Sequence, residues 1–341
     1  MNVAIIPFHE GLLPAAADLL ARRHTRDRLA MPLLPARFET ARSALAAVRE
    51  VWHKPWTTGV AALRDGRLLG YLMGEARFDL LRGRHVWAHL PGHALAENAP
   101  PELYADLYAA AGVEWLRLGA FDHYVMMPAA DAAGLDVWYG LSFGREQAHA
   151  MRSLTEPLPE PVDVPGVRVR RATADDRDTM VEEMSPLLRQ RLAGPPVWAA
   201  ALPEYIRQVR EGFAEMLSDA HAIVWLAEEM DAAGQARTLG YQAYFAATPS
   251  DDNLTISLSD RTALLEVAAT RPEARGRGIG QALTRAGLTG AADAGYAVCV
   301  ADWRTTNVEA ARFWPRLGFR PAVYRLTRKV DPRIAWAIGG D

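Results

Sequence analysis

Cysteine is almost missing from this sequence: Cys299 is the one thiol in 341 residues. A lone thiol closes no internal disulfide and builds no multi-cysteine metal site. Charge of a single sign is also scarce. The formal net charge is −3 and no dense single-sign run occurs, which excludes the strong basic field that holds nucleic acid. The nearest approach, Arg22, Arg23, Arg26 and Arg28, reads as a solvated helix end and loop. No apolar stretch approaches the ~20 residues that cross a bilayer. The opening Met1-Asn2-Val3-Ala4-Ile5-Ile6-Pro7 has no basic region followed by a long apolar core, so a secretory leader is not expected. The expectation is a cytoplasmic protein with neither membrane nor nucleic-acid partners.

What is present suggests two domains, because single cores seldom grow past ~250–300 residues. A Pro-rich stretch from Glu156 to Pro165 lies near the middle. Proline removes backbone donors and favours extended chain, so residues 156–166 read as a semi-rigid linker between domains at 1–155 and 167–341. The halves share an order of features. Each starts with a short strand and a helix, Val3–Ile6 then Leu12–Arg23, and Val167–Arg171 then Asp175–Leu192. Each then carries a strand with Leu-Gly-Tyr, at Leu69-Gly70-Tyr71 and Leu239-Gly240-Tyr241. Trp138-Tyr139-Gly140-Leu141-Ser142-Phe143 matches Trp314-Pro315-Arg316-Leu317-Gly318-Phe319 in register, and Arg152 falls at the offset of Arg328. This shared order predicts an internal duplication.

The second half reads as strands at Ala222–Glu228, Thr238–Ala246 and Thr262–Thr270. A helix at Ile279–Ala294 is stopped by Gly295, and a buried strand, Tyr296–Ala301, follows. A short helix at Asn307–Arg316 precedes a last strand, Phe319–Val330. Between the third strand and the helix stands Arg275-Gly276-Arg277-Gly278-Ile279-Gly280. The first amides of a helix lack internal partners and carry partial positive charge, and glycines let backbone approach a bulky anion. The turn therefore suits a pyrophosphate. It is not a Walker loop, which needs Gly-Lys-Ser/Thr. Nor is it a Rossmann turn, whose glycines are spaced G-x-G-x-x-G.

The pattern resembles the GNAT superfamily of acyl-CoA transferases. Arg275, Gly278 and Gly280 fill the fixed positions of that family's R/Q-x-x-G-x-G/A signature, and Thr270-Arg271-Pro272-Glu273-Ala274 is similar to its lead-in, with Thr for Val. Downstream, Asn307-Val308-Glu309-Ala310-Ala311-Arg312-Phe313-Trp314-Pro315-Arg316-Leu317-Gly318-Phe319 looks like N-x-x-A-x-x-F-Y-x-x-x-G-F. The full resemblance covers about residues 167–330. It implies an α/β (α+β) fold of two tandem GNAT-like domains, each a mixed central sheet flanked by helices, the first degenerate and the second catalytic. It also implies acetyl-CoA as cosubstrate. Ala268, Ala269 and Thr270 would line a gap between parted strands and hold the pantetheine arm. The amides of Arg275, Gly276, Arg277, Gly278, Ile279 and Gly280 would hold the pyrophosphate, and Asn307 would steady the arm. A primary amine, from a small molecule or a peptide N-terminus, would attack the thioester directly. No metal is implied, and the oligomeric state is left open.

The chain departs from the family at the usual proton donor, where Trp314 replaces Tyr. Tyr324 on the last strand is the nearest substitute; its alternative reading is a packing aromatic. Glu266 shares by strict alternation a strand face with Ala268 and Thr270, and reads as a base or a structural carboxylate. Asp302 and Arg304 follow the fifth strand and read as amine- and acid-binding groups or as a loop ion pair. Cys299 reads as a small core residue. In the first half, His85, His89 and His93 have helical spacing for a metal cluster, but Val86-Trp87 and Pro91-Gly92 favour strand and turn. Two non-enzymatic alternatives stand beside the transferase: an acyl-CoA sensor and an inert scaffold.

Overall fold

The computed structural model of the chain describes residues 3–160, 162–199, 202–230, 234–248 and 255–339. They form two compact units. Unit 1 takes the described residues up to 149, residues 255–259 and those from 321 onward. Unit 2 takes the described residues of 150–248 and 260–320.

The first half contains β1 (Ala4–Pro7), α1 (Leu13–Ala30), α2 (Ala41–Trp52), β2 (Thr57–Arg64), β3 (Arg67–Asp79), β4 (Gly83–Ala88), β5 (His93–Leu95), α3 (Leu103–Arg117), β6 (Asp122–Pro128), α4 (Ala132–Gly140) and β7 (Gly144–Ser153). Asp65 and Gly66 join β2 to β3 with φ of 51° and 77°, the double positive φ that a tight hairpin turn requires. The second half contains β8 (Val167–Arg171), α5 (Arg177–Thr179), α6 (Ser185–Ala193), α7 (Pro203–Glu215), β9 (Ile223–Met230), β10 (Ala236–Ala246), β11 (Thr262–Thr270), α8 (Ile279–Asp293), β12 (Val298–Arg304), α9 (Val308–Arg316), β13 (Arg320–Lys329) and α10 (Ile334–Gly339). Gly295 sits at φ 92° just past α8, as a helix-stopping glycine does.

Between α5 and α6 the residues Met180–Met184 wind as a π-helical turn, with Ser185 N bonded to Met180 O. Pro186 follows and has no N–H to restore the tighter spacing, which accounts for the loose turn. The single helix expected at Asp175–Leu192 is therefore broken. Its start is set by a reciprocal cap between Thr173 and Asp176.

In unit 2, β8, β9, β10 and β11 run antiparallel to their neighbours and β12 lies parallel to β11. Successive residues of β9 enter opposite cores, as strand alternation demands. Val224 and Leu226 join Met180, Met184, Phe213 and Tyr241. Trp225 and Ala227 join Ile279, Leu283, Val162 and Val164. The described part of the Pro-rich segment thus packs apolar side chains beside the start of α8.

In unit 1, β4 lies parallel to β6, and β6 accepts β13 antiparallel from Val323 opposite Pro128 to Lys329 opposite Asp122. The last strand of the chain therefore belongs to unit 1, whereas the sequence-based division counts it with the second domain. An alternating pattern shows that a segment is a strand but not which sheet it joins. The core of this unit gathers Leu107, Trp115, Val125, Trp138 and Leu326.

The duplication is visible in detail. Asp131 caps α4 by accepting from Gly134 N at 2.9 Å, and Asn307 caps α9 by accepting from Ala310 N at 3.2 Å. Trp138 stacks edge-on to Phe143 at 4.8 Å, and Trp314 to Phe319 at 5.4 Å.

Candidate active site

A strand inside a sheet normally finds a ladder partner on each side. β11 is paired with β10 from Ala263 opposite Ala246 to Thr270 opposite Gly240. Its parallel ladder with β12 runs only from Thr262 opposite Val298 to Leu265 opposite Ala301. Both strands continue beyond that rung, to Thr270 and Arg304, so the ladder opens into a gap. Arg271 N donates to Leu239 O. Antiparallel alternation then turns the amides of Ala269 and Val267 toward β10 and aims those of Ala268 and Thr270 into the gap. Ala268, Ala269 and Thr270 are only half-buried although their strand is internal to the sheet.

Leu265 pairs with Tyr244 and Val267 with Ala243, which leaves Glu266 as the extra residue of a β-bulge. Strict alternation across Glu266 therefore fails, and alternation no longer assigns it the face of Ala268 and Thr270. Glu266 is exposed. Asp302 is exposed as well, and it occupies the position just past Ala301, as Glu266 does past Leu265. The two carboxylates thus stand at the first positions beyond the last shared rung.

The glycine turn follows Pro272–Ala274. Gly276 and Gly278 have φ of 76° and 87°, a region costly for other residues. Gly278 is the N-cap of α8 and brings no capping side chain, so the orphan amides of the first turn are left to an external acceptor. Arg275, Gly276 and Arg277 are exposed, and Ile279 is buried beneath them. Arg277 pairs with Glu229 at 2.9 Å, and Arg275 approaches Glu309 at 3.7 Å. A Cβ added to Gly280 would stand 3.3 Å from Phe313 Cζ, so α8 and α9 meet closely there. Asn307 Oδ1 also accepts from Arg191 Nη2 at 2.5 Å.

Beneath the turn lies a polar chain that sequence reasoning missed. Tyr244 donates to Gln242 Oε1 at 2.6 Å, Gln242 Nε2 to Thr284 Oγ1 at 2.8 Å, and Thr284 to Gly280 O at 2.8 Å. All three side chains are buried, and each has its partner, which makes such a network rigid rather than costly. Its signal was a glutamine in the middle of an apolar strand, Gly240-Tyr241-Gln242-Ala243-Tyr244. Arg191 left no such signal.

Trp314 is buried edge-on to Phe313 and Phe319. Tyr324 lies in unit 1, opposite Met127 on β6, with the Arg145 guanidinium 3.9 Å above its ring. The structure thus brings Glu266, Asp302, the strand backbone, the turn and Asn307 into unit 2 and places Tyr324 in the other unit. Cys299 is fully buried, and burial pushes its thiol up to about 12, in keeping with a core residue.

The corresponding region of unit 1 is built differently. His85 lies on β4, His89 on the turn after it and His93 on β5. They go to separate partners, Gly83 O, Glu75 and Met126 O. β3 pairs Glu75 with Trp87 and next Leu72 with His93, so three extra residues loop out where unit 2 has one. Buried Arg23 donates to Leu90 O at 3.0 Å and His93 O at 2.5 Å. His93 Nε2 bonds Met126 O across to β6 at 2.8 Å, which leaves Nδ1 to accept from Tyr104 at 3.2 Å. Burial then holds the ring neutral, lowering its pKa to about 3. The stretch before α3, Glu97-Asn98-Ala99-Pro100-Pro101-Glu102, carries two prolines without amides and two acids. That stretch, which leads into α3 as the glycine turn leads into α8, is the counterpart of the glycine turn.

This architecture defines an α/β protein of two repeated units, each with a mixed sheet, one of which has parted strands beside an open glycine turn at a helix start. Residues 220–321 match the model of the acetyltransferase (GNAT) domain family, and the chain has the tandem GNAT fold. A GCN5-related N-acetyltransferase from Sphaerobacter thermophilus is similar in structure, with a TM-score of 0.59 and 15% identity over 96% of this chain and 95% of that one. A tandem GNAT protein from the clavulanic acid biosynthesis pathway gives 0.50 and 14% over 97% and 99%. The N-acetyltransferase region of a fungal multi-domain β-N-acetylglucosaminidase gives 0.56 and 14% over 96% and 38%. No curated protein matches the sequence. The fold supports acyl transfer in general. No described helix is long and apolar enough to cross a membrane.

Proposed function

We propose that the chain transfers an acetyl group from acetyl-CoA to a primary amine, with the residues of unit 2 carrying the reaction. One observation carries this reading: the β11–β12 ladder ends at Leu265 and Ala301 beside a helix start whose two glycines have positive φ. The residues present fit a thioester that bears a pantetheine arm and a diphosphate. The inward amides and carbonyls of Ala268 and Thr270, with Ala269 between them, match an amide-containing arm. The amides from Arg275 to Gly280 match the diphosphate, and Asn307 faces the arm.

Acetyl-CoA, when bound, supplies an activated carbonyl. A neutral amine forms the new C–N bond, the C–S bond breaks, and the nitrogen loses one proton. An inward N–H of β11 polarises the carbonyl. Glu266 takes the amine proton, directly or through water, and Asp302 positions the arriving ammonium. The acceptor is a small amine or a peptide N-terminus. The catalytic domain is the part of the chain from residue 167 that lies in unit 2, without β13 and α10. The domain of residues 1–155 is a degenerate copy, and 156–166 joins them.

A second reading, a non-catalytic acyl-CoA sensor, is favoured by one feature. Buried Trp314 stands where the family has its phenol, and an indole N–H gives no proton to a thiolate. Thiol release from acetyl-CoA with a panel of amines separates the two. Release with at least one amine establishes the transferase. Binding of acetyl-CoA without release from any amine establishes the sensor, and absence of binding sinks both. The roles of the carboxylates are tested by the pH profile of kcat/KM. Loss of the acidic limb in Glu266→Gln alone supports the assignment, and loss in Asp302→Asn alone reverses it.

A further inference from the structure

Glu309 gathers more positive charge than a surface carboxylate needs. Arg191 Nη2 lies 3.0 Å from its Oε2, and Arg275 Nη1 lies 3.7 Å from the same oxygen. The two guanidinium groups come from different elements, α6 and the turn before α8. Glu309 is the second residue of α9, at the end where the helix dipole is positive. The first turn of α8 is close by, through the contact of Gly280 with Phe313. Two full positive charges and the start of α9 thus converge on one carboxylate whose side chain is 64% exposed. Mostly exposed ion pairs of this kind are worth little and are readily exchanged.

A second tie fixes the same helical segment on the other side of the gap. Glu183, in the π-helical turn, pairs with Arg271, whose Nε donates to Thr238 O at 2.7 Å. Arg271 directly follows β11, while Asn307 and Glu309 stand at the start of α9. The segment from Met180 to Ala193 is therefore tied to both flanks of the opening, and Arg191 is its contribution on the side of the glycine turn.

We infer that Arg191 is part of the cosubstrate site and reads the diphosphate, with Glu309 holding its place until that anion arrives. This inference rests on the reading of unit 2 as an acyl-CoA site. On binding, Arg191 and Arg275 exchange a single exposed carboxylate for diphosphate oxygens, a better match for planar guanidinium donors. Arg191 thereby favours CoA thioesters over thioesters of bare pantetheine, and it couples α6 to occupancy of the gap.

The test uses the full-length chain, titrated calorimetrically with CoA, 3′-dephospho-CoA and pantetheine. Arg191→Ala is expected to weaken CoA and 3′-dephospho-CoA by about tenfold, the loss typical of one hydrogen bond to a charged group, and to leave pantetheine unchanged. Glu309→Gln is expected to tighten CoA severalfold, because its competitor for the guanidinium groups is gone. Unchanged CoA affinity in Arg191→Ala, or an equal loss for pantetheine, overturns the inference. A loss confined to CoA and absent with 3′-dephospho-CoA also overturns the assignment to the diphosphate. Circular dichroism of each variant shows whether the fold is kept, and Arg191→Lys, which retains charge but not the planar fork, should fall between. If the unaltered chain binds no CoA, the functional reading itself fails; if it binds CoA and Arg191→Ala binds equally, only the role of Arg191 fails.

Discussion

A substitution at Gly278 separates the geometry of the turn from its electrostatics. The residue sits at φ 87°, and a Cβ built on it would stand 3.0 Å from Val162 Cγ1. Any side chain there costs about 1–2 kcal/mol of backbone strain, plus a small shift of Val162. Asn and Asp tolerate this region best and have nearly the same shape, so Gly278→Asn and Gly278→Asp share the steric cost and differ by one charge. A carboxylate about 4 Å from a bound phosphate, at an effective dielectric of about 20, opposes binding by roughly 4 kcal/mol, or about a thousandfold. The expectation is a modest and similar stability loss in both variants by chemical denaturation. Titration should show acetyl-CoA bound weakly by Gly278→Asn and not measurably by Gly278→Asp. Equal affinities in two folded variants would refute the idea that an anion sits on this turn.

Trp314→Phe should leave the chemical step nearly intact, because Trp314 is buried among Phe313 and Phe319. Tyr324→Phe should slow single turnover if its phenol protonates the thiolate. An unchanged rate removes it from the mechanism. Gln242→Leu breaks the chain from Tyr244 to Gly280 and should raise KM for acetyl-CoA severalfold with little change in kcat; an equal change in both would assign the network a different role. Acid should weaken unit 1 first. Burial lowers His24 to about 4, His93 to about 3 and His123 to about 4, so below pH 6.5 the unfolded chain takes up protons that the folded one refuses. Stability then falls as pH drops from 6.5 toward 4, by up to about 2 kcal/mol per histidine at pH 5. Burial raises Asp27 to about 6, which acts the other way over part of that range but for one group against three. Hydrogen exchange of β6 amides at pH 5 and 7 measures the difference, and equal protection would contradict it.

Much of unit 2 was legible because its signals are local. β11 and β8 begin and end where residue type and periodicity put them, and Gly295 stops α8. The glycine turn was readable for the same reason: its chemistry is written in consecutive residues. Three things were not. A bulge at Glu266 depends on the register with β10, which is not a property of β11 alone. The partner of β13 is a choice between sheets that a strand pattern does not encode. Arg191 reaches Asn307 across 116 residues of sequence, and nothing in the text around it marks an arginine on a helix as anything but solvated.

The two halves differ at their corresponding helix starts, and on the proposed reading that difference makes one of them an anion site and closes the other. Both halves share the capped helix that follows their parallel strand, α4 after β6 and α9 after β12, and the tryptophan–phenylalanine contact. They differ where a ligand would have to enter. In unit 2 the backbone of Ala268 and Thr270 looks into the gap, and the turn before α8 offers amides. In unit 1, Arg23 and His93 supply from within the protein the donors that such backbone requires, satisfying Leu90 O, His93 O and Met126 O. Buried carbonyls without partners are costly, so these internal donors stabilise unit 1. The two prolines before α3 offer no amides, and the two acids there oppose an anion. Arg23→Ala would therefore not restore a site. It would strand two buried carbonyls, and the loss should appear as destabilisation of unit 1 by more than 1 kcal/mol per group, with acetyl-CoA affinity of the chain unchanged. A rise in the number of bound acetyl-CoA molecules from one to two would show that Arg23 had been the only barrier, and that the turn before α3 still binds anions.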